Sequence, residues 1–182
     1  MIYQQVTLSG DAEWPKVADA VIEACSRVSL LTKKLDLHPT LADLNELVRH
    51  TLTDLQDLVK VPVCQELRPV SKLLMDPEHL QKVVINLLFN ANEAVDDRGE
   101  IFITTESIDG WVVLSVRDNG CGIPQAFLER SLFHPFQTTK SQGLGIGLFH
   151  SRTIVEAHHG RIEVESEEGQ GSTFRVLLPV KD

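Results

Sequence analysis

Residues 76–95 read DPEHLQKVVINLLFNANEAV. Asp76 before Pro77 is a helix start: the carboxylate can accept the N–H groups that a first turn leaves over, and proline at the first position loses no hydrogen bond. The spacing predicts a helix from Pro77 to Val95. Leu80, Val84, Leu87, Ala91 and Ala94 form its apolar stripe, and Lys82, Asn86, Asn90 and Glu93 share another face at spacings of 4, 4 and 3. Two asparagines one turn apart can offer oxygens to a hard cation and amides to phosphate, since Mg²⁺ keeps few protein ligands and takes the rest from phosphate and water. The same pattern also describes a plain solvated face.

Beyond this helix DDRG, residues 96–99, is a stop, and residues 100–105 and 111–117 alternate as paired strands joined through Ser107 to Gly110. Residues 118–147 carry five glycines and two prolines and are expected as a mobile loop. A helix over 146–158 follows, with Gly160 as its left-handed C-terminal cap, and strands over 161–165 and 172–178 close the chain. Toward the N-terminus, VKVPVCQEL (59–67) is an extended strand with Pro62 at an edge or turn. Leu44, Leu47, Val48, Leu52, Leu55 and Leu58 mark one side of another helix. Earlier still, Trp14, Val17, Val21, Ala24, Val28, Leu31 and Leu35 alternate at spacings of 3 and 4, a heptad seam suited to a helical bundle or to a helix lying on the next domain. The fold class is α/β: a two-layer sandwich with a mixed sheet, preceded by a partial helical-bundle segment.

The whole chain bounds its partners. Its 182 residues carry a net charge of −9, which argues against a nucleic-acid surface. An anionic ligand must therefore be held by backbone N–H groups, a cation and a few placed basic side chains. Cys25, Cys64 and Cys121 have no metal-site spacing and fit reduced thiols. The first residues lack a signal-peptide pattern, and no run approaches the roughly 20 apolar residues of a membrane span. A soluble, cytoplasmic segment with no membrane contact of its own is expected, as the cytoplasmic part of a membrane-bound sensor or on its own.

Three further features carry chemistry. Asp118, in VRDNGCGIP (116–124), follows a strand with Val112, Leu114 and Val116 on one face. A carboxylate there can accept from an exocyclic amine, while Gly120 and Gly122 permit close approach by a flat ring; the bland alternative is an Asx turn with two permissive glycines. GLGIGLF (143–149) places N–H groups and a positive helix end where an anion can sit, without the GKS or GKT ending of a P-loop. Lys140 and Arg152 are local cations that suit phosphate or plain surface.

The combination resembles a known family. HLQKVVINLLFNANEAV resembles the asparagine box of sensor histidine kinases, VRDNGCGIP their first glycine box, LFHPFQTTK (132–140) their phenylalanine box and SQGLGIGLFHSRTIVEAHHG (141–160) their second glycine box. IEVESEEGQGSTFRVLLP (162–179) is similar to the closing strands, and the boxes stand in family order from about Leu35 to Pro179. The resemblance implies the GHKL, or Bergerat, ATPase fold, with ATP and Mg²⁺ as cofactors. It implies Asn90 as the magnesium-binding asparagine, with Asn86 and Lys140 completing the catalytic set. Asp118 is matched to the aspartate that bonds the adenine amino group, and Gly120, Gly122 and Ile123 to the base pocket. Phe133, Phe136, Thr138, Thr139 and Lys140 are matched to the start of a lid. Gly143, Leu144, Gly145, Ile146, Gly147 and Leu148 are matched to the phosphate side, with Arg152 and Thr173 completing the nucleotide contacts.

The expected activity is that of a bacterial protein-histidine kinase in a two-component phosphorelay. Residues 1–36 resemble the second helix of a dimerisation and phosphoacceptor hairpin with its linker, and 37–182 the ATP-binding catalytic domain. The phosphoacceptor motif occurs nowhere in the sequence, so this chain alone is expected to lack autokinase activity, its partners being the hairpin's first helix, a response-regulator receiver domain and a second subunit of the full kinase. Two departures stand out. Glu93 replaces a basic residue common in the family and resembles the nitrogen-regulation branch. Asn86 stands where gyrase-like ATPases place a glutamate that activates water, and an amide has no general-base capacity. The lid threonines and LGIGLFHSR resemble bacterial kinases linked to exopolysaccharide and exosortase systems. The rival readings are a serine kinase acting on an anti-sigma system and a non-catalytic module of the same fold.

Overall fold

In the computed structural model the chain divides into two compact units, 1–36 and 37–182. The structure describes residues 35–139 and 144–180. The heptad seam, Cys25, Lys140 and Gly143 lie outside the described residues, apart from Leu35 at the end of the seam.

The second unit is built on a five-stranded mixed sheet. Its strands are β2 (Val63–Leu67), β4 (Ile101–Ile108), β5 (Trp111–Asp118), β6 (Arg161–Glu167) and β7 (Gly171–Pro179), in the order β2-β4-β5-β7-β6. The β2–β4 pair is parallel and the other three are antiparallel. Two three-residue strands, β1 (Thr40–Ala42) and β3 (Leu73–Met75), pair separately. Among the described residues four helices accompany it: α1 (Leu44–Leu55), α2 (Pro77–Ala94), α3 (Gln125–Arg130) and α4 (Gly147–Ala157). Among the described residues no helix is long and apolar enough to cross a membrane.

Alternation along the strands builds the core. Val112, Leu114 and Val116 of β5, Ile101 and Ile103 of β4, and Phe174, Val176 and Leu178 of β7 are buried beneath Leu80, Val84, Leu87, Leu88 and Ala91 of α2 and Ile154 and Val155 of α4. Each such valine, leucine, isoleucine or phenylalanine contributes about 1.5–3 kcal/mol relative to exposure. On the other sheet face Arg161 stacks 4.5 Å from the Trp111 ring and Arg175 pairs with Glu165 at 2.7 Å.

The expected elements are present with corrected edges. α2 also buries Val83 and Leu88, while Ala94 is only half-buried. α1 ends at Leu55, which leaves Leu58 exposed, and Asn45 and Thr51 join its buried face. Asn45 donates to the Arg68 carbonyl at 2.7 Å and accepts from buried Thr105 at 2.6 Å, so a polar residue sits there without loss. β4 runs on to Ile108 because Asp109 and Gly110, at φ 47° and 80°, make a two-residue hairpin turn. The segment expected as continuous loop contains α3. At the end of α4 the left-handed residue is His159, at φ 61°, in place of Gly160. The N–H groups of His159 and Gly160 bond the Glu156 and Val155 carbonyls, and a Cβ on Gly160 would stand 2.4 Å from the Leu177 carbonyl oxygen. Glycine is required there for packing against β7.

Candidate nucleotide site

The period of β5 carries Asp118 inward. Val112, Leu114, Val116 and Asp118 share the helix-facing side, and the carboxylate is 4% exposed. Burial pushes its pKa up from the ordinary carboxylate value, and the amide N–H groups of Gly120 and Ser172 pull part of the way back. The Gly120 N–H donates to Oδ1 at 2.9 Å. Two N–H groups do not exhaust a carboxylate's acceptor sites, so Asp118 can take a further donor.

Residues 119–123 are laid against the C-terminal end of α2. Cys121 N–H bonds the Ala94 carbonyl at 3.0 Å, and a Cβ on Gly120 would stand 2.3 Å from that same oxygen. Gly122 takes φ 67°, with space for a Cβ closed by the Glu167 carbonyl. From the other side, Gly169 N–H bonds the Cys121 carbonyl at 2.7 Å and Ile123 N–H bonds Ser166 Oγ at 2.9 Å. Ser166 in turn reaches Ser172 Oγ at 3.0 Å. The loop is thus held between α2 and the β6–β7 turn, beside the buried carboxylate.

Asn86 and Asn90 are half-buried on α2, while Lys82 and Glu93 are exposed. From Asn86 to Ala94 the helix advances two turns, about 12 Å. Asn86 meets the start of α4 at one end, Ala94 meets Gly120 at the other, and Asn90 lies between them. α1 and α2 begin with aspartate caps, Asp43 and Asp76, whereas α4 begins at Ile146–Gly147 with no side-chain cap. Its first-turn N–H groups and positive end suit an anion. Gly147 and Ser151 both meet Asn86: a Cβ at 147 would stand 2.1 Å from Asn86 Oδ1, and Asn86 Nδ2 donates to Ser151 Oγ at 3.0 Å.

Two residues pin the segment between β5 and α4. Phe136, at φ 65°, donates its N–H to the Gly145 carbonyl at 2.8 Å. Phe133 packs under the Arg152 guanidinium, 5.5 Å from ring centre to carbon. Thr138, Thr139 and Leu144 are exposed, and Ile146 and Leu148 are half-buried.

The expected residues do not all converge. Asp118, Gly120, Gly122, Ile123, Asn86, Asn90 and the start of α4 line one continuous region. Arg152 instead bonds Glu156 at 2.7 Å and covers Phe133. Thr173 is in register with Arg117 and Glu165, on the sheet face opposite Asp118. The β7 residue beside Asp118 is Ser172, which the inward alternation Ser172, Phe174, Val176, Leu178 signals. Ser151 was signalled too, as the polar residue on the buried stripe that Ile154 and Val155 define on α4.

Comparison with known proteins gives this geometry its lineage. Residues 75–182 match the family described as histidine kinase-, DNA gyrase B-, and HSP90-like ATPase. The signal transduction histidine-protein kinase AtoS of Escherichia coli (strain K12) is 41% identical over 142 residues, which are 75% of this chain and 23% of AtoS. The chain thus spans under a quarter of that relative's length. The solved catalytic domain of histidine kinase ThkA is 34% identical with a TM-score of 0.71, covering 79% of this chain and 96% of that domain. ThkA solved in complex with response regulator protein TrrA is 27% identical with a TM-score of 0.73, covering 99% of this chain and 53% of ThkA. The chain belongs to the histidine kinase-, DNA gyrase B-, and HSP90-like ATPases, and its α/β sandwich is a catalytic domain of the histidine kinase type.

Proposed function

We propose that residues 37–182 bind Mg-ATP and present its terminal phosphoryl group to a histidine outside these residues, for relay to an aspartate of a response-regulator receiver domain. Residues 1–36 would then be the second helix of the phosphoacceptor hairpin and its linker. When bound, Mg-ATP supplies the phosphoryl group and the cation that offsets its charge. The observation that carries the proposal is Asp118, buried at one end of the α2 amide face whose other end meets the uncapped start of α4.

The residues fit that ligand. Asp118 accepts from the exocyclic amine of adenine, a pairing that a carbonyl at the same position of the base would break. The missing side chains of Gly120 and Gly122 make room for the Ala94 and Glu167 carbonyls rather than for the ring, and so fix the loop beside Asp118; Asn90 would hold the cation through its side-chain oxygen, and the first turn of α4 would receive phosphate oxygens. Asn86 holds no proton-accepting carboxylate, which favours transfer to a protein acceptor over hydrolysis. Catalysis of this kind is positional and electrostatic. The two-component partnership finds support in the solved ThkA–TrrA complex.

Calorimetric titration with ADP and a non-hydrolysable ATP analogue, with and without Mg²⁺, tests the proposal. The parent should bind both, and Asp118→Asn, which turns an amide donor toward the base, should weaken binding about 10- to 100-fold. A parent that binds neither nucleotide, or an Asp118→Asn variant that binds as the parent does, would overturn it.

A further inference from the structure

We infer that Ser166 is a positioning residue of the base pocket: it holds the Asp118 carboxylate and the 119–123 loop in one arrangement, and so sets how sharply the site tells a purine with an exocyclic amine from one without. The inference rests on the nucleotide site proposed above and adds to it a residue that acts through others. Ser166 stands near the end of β6, opposite Ser172 of β7 and on the same inward side of the sheet. Its hydroxyl has three neighbours at bonding distance: the Ile123 N–H and the Gly171 carbonyl, each at 2.9 Å, and Ser172 Oγ at 3.0 Å. An amide N–H only donates and a carbonyl only accepts, so the serine accepts from Ile123 and donates to Gly171. That uses its one hydrogen and one of its two lone pairs, and the other lone pair is open to the Ser172 hydroxyl. One side chain thereby ties the loop after β5 to the first two residues of β7.

Both of those β7 residues bear on Asp118. The Ser172 N–H is one of the two amide donors to its carboxylate. Gly171, at φ 101°, packs so close beneath the Asp118 carbonyl that a Cβ would collide with it. The second donor, the Gly120 N–H at 2.9 Å, belongs to the loop that ends at Ile123. The two groups that fix the carboxylate thus come from segments that meet at Ser166. The other link between turn and loop, Gly169 N–H to the Cys121 carbonyl, is main chain and survives a change of side chain. Without the Ser166 hydroxyl the loop stays attached at Cys121, while Ile123 loses its acceptor and β7 its tether. A hydrogen bond weakens steeply as its angle departs from linear, so a carboxylate free to shift pairs less well with an amine. The pocket then still admits the ring but discriminates less between bases, because discrimination comes from the pairing and not from the room.

The test compares the 182-residue parent with Ser166→Ala by calorimetric titration with ADP and with purine riboside diphosphate, the same nucleotide without its exocyclic amine. The parent should bind ADP about tenfold or more tightly than the amine-free analogue, and in Ser166→Ala that ratio should fall to about threefold or less. An unchanged ratio overturns the inference, even where both affinities drop together, because an equal loss marks a serine that only stabilises the fold. Ser166→Thr keeps the hydroxyl and should restore the parental ratio; a ratio as low as that of Ser166→Ala overturns the inference as well. Hydrogen exchange on the nucleotide-free parent is a check that needs no variant. The Ile123 amide proton should exchange well below the rate of an unstructured chain, and exchange at that open rate would show that Ser166 does not hold it. A parent that binds neither nucleotide, or both alike, sinks the proposed site with its Asp118 pairing. A parent that prefers ADP, beside a Ser166→Ala variant with the same preference, sinks only the role of Ser166.

Discussion

Asp76→Asn isolates the charge at the root of α2. The Asp76 side chain is 3% exposed and accepts from two N–H groups, the His38 backbone at 2.8 Å and the His79 backbone at 3.0 Å, with the His79 ring Nδ1 lying 3.0 Å from its Oδ2. Burial alone would raise its pKa, but these donors hold it at about 2, against an ordinary 3.8. At 1.36 kcal/mol per pH unit the difference corresponds to about 2.5 kcal/mol of preference for the ionised form in the folded protein. Asparagine keeps the shape and one accepting oxygen for the His79 N–H, but sets an NH₂ against the His38 N–H. The variant should therefore lose about 2–3 kcal/mol at pH 7, or roughly 5–10 °C in Tm for a domain of this size. The sign follows from a depressed pKa: the contribution is complete above 3.8 and disappears as pH falls toward 2. Urea unfolding of parent and variant at pH 7, 5 and 3 should show a gap that is constant between the first two and narrower at the third. A gap below about 0.5 kcal/mol at pH 7, or one that does not narrow, would refute the reasoning.

Three other outcomes are expected. His158 is buried, donating from Nδ1 to the Ile154 carbonyl at 2.7 Å and accepting the Asp76 N–H at Nε2 at 2.9 Å, and burial lowers its pKa below 6.5. The unfolded chain takes a proton below pH 6.5 that folded His158 refuses, so the parent loses stability on acidification from pH 7.5 to 5.5; His158→Gln should show a shallower slope in urea unfolding over that range. Gly122→Ala forces a side chain into φ 67° and against the Glu167 carbonyl, which should cost about 1–3 kcal/mol by thermal unfolding and weaken ADP binding. Thr105→Val strands Asn45 Oδ1 beneath the sheet, a loss of about 1–3 kcal/mol measured by urea unfolding, with nucleotide affinity unchanged.

Where a feature repeats along the chain, the sequence announced it. The cap Asp76–Pro77, the stripe of α2 and the alternation of β5 each rest on neighbours two to four residues apart, and these gave the sandwich and placed Asp118, Asn86 and Asn90. What escaped depends on partners far along the chain. β1 and β3 are three residues each, too short to show a period, and exist because they pair with each other. α3 buries no residue and so leaves no stripe. Asp76 reads locally as a helix cap, yet it also takes the His38 N–H, and its own N–H goes to His158, 82 residues away. Thr173 was matched to the site by its neighbourhood in sequence, but the pleat turns it outward and gives the place to Ser172.

The charges of β6 also bear on what the sheet can do with a stranger. β6 lies at one end of the strand order, and its residues Arg161, Glu163, Glu165 and Glu167 are all exposed. An extended segment of another chain that tried to pair along this margin would bring its side chains beside three carboxylates and a guanidinium, and any acidic or apolar partner would meet repulsion or lose hydration there. The margin next to the nucleotide-side turn therefore resists strand addition and the aggregation that begins with it.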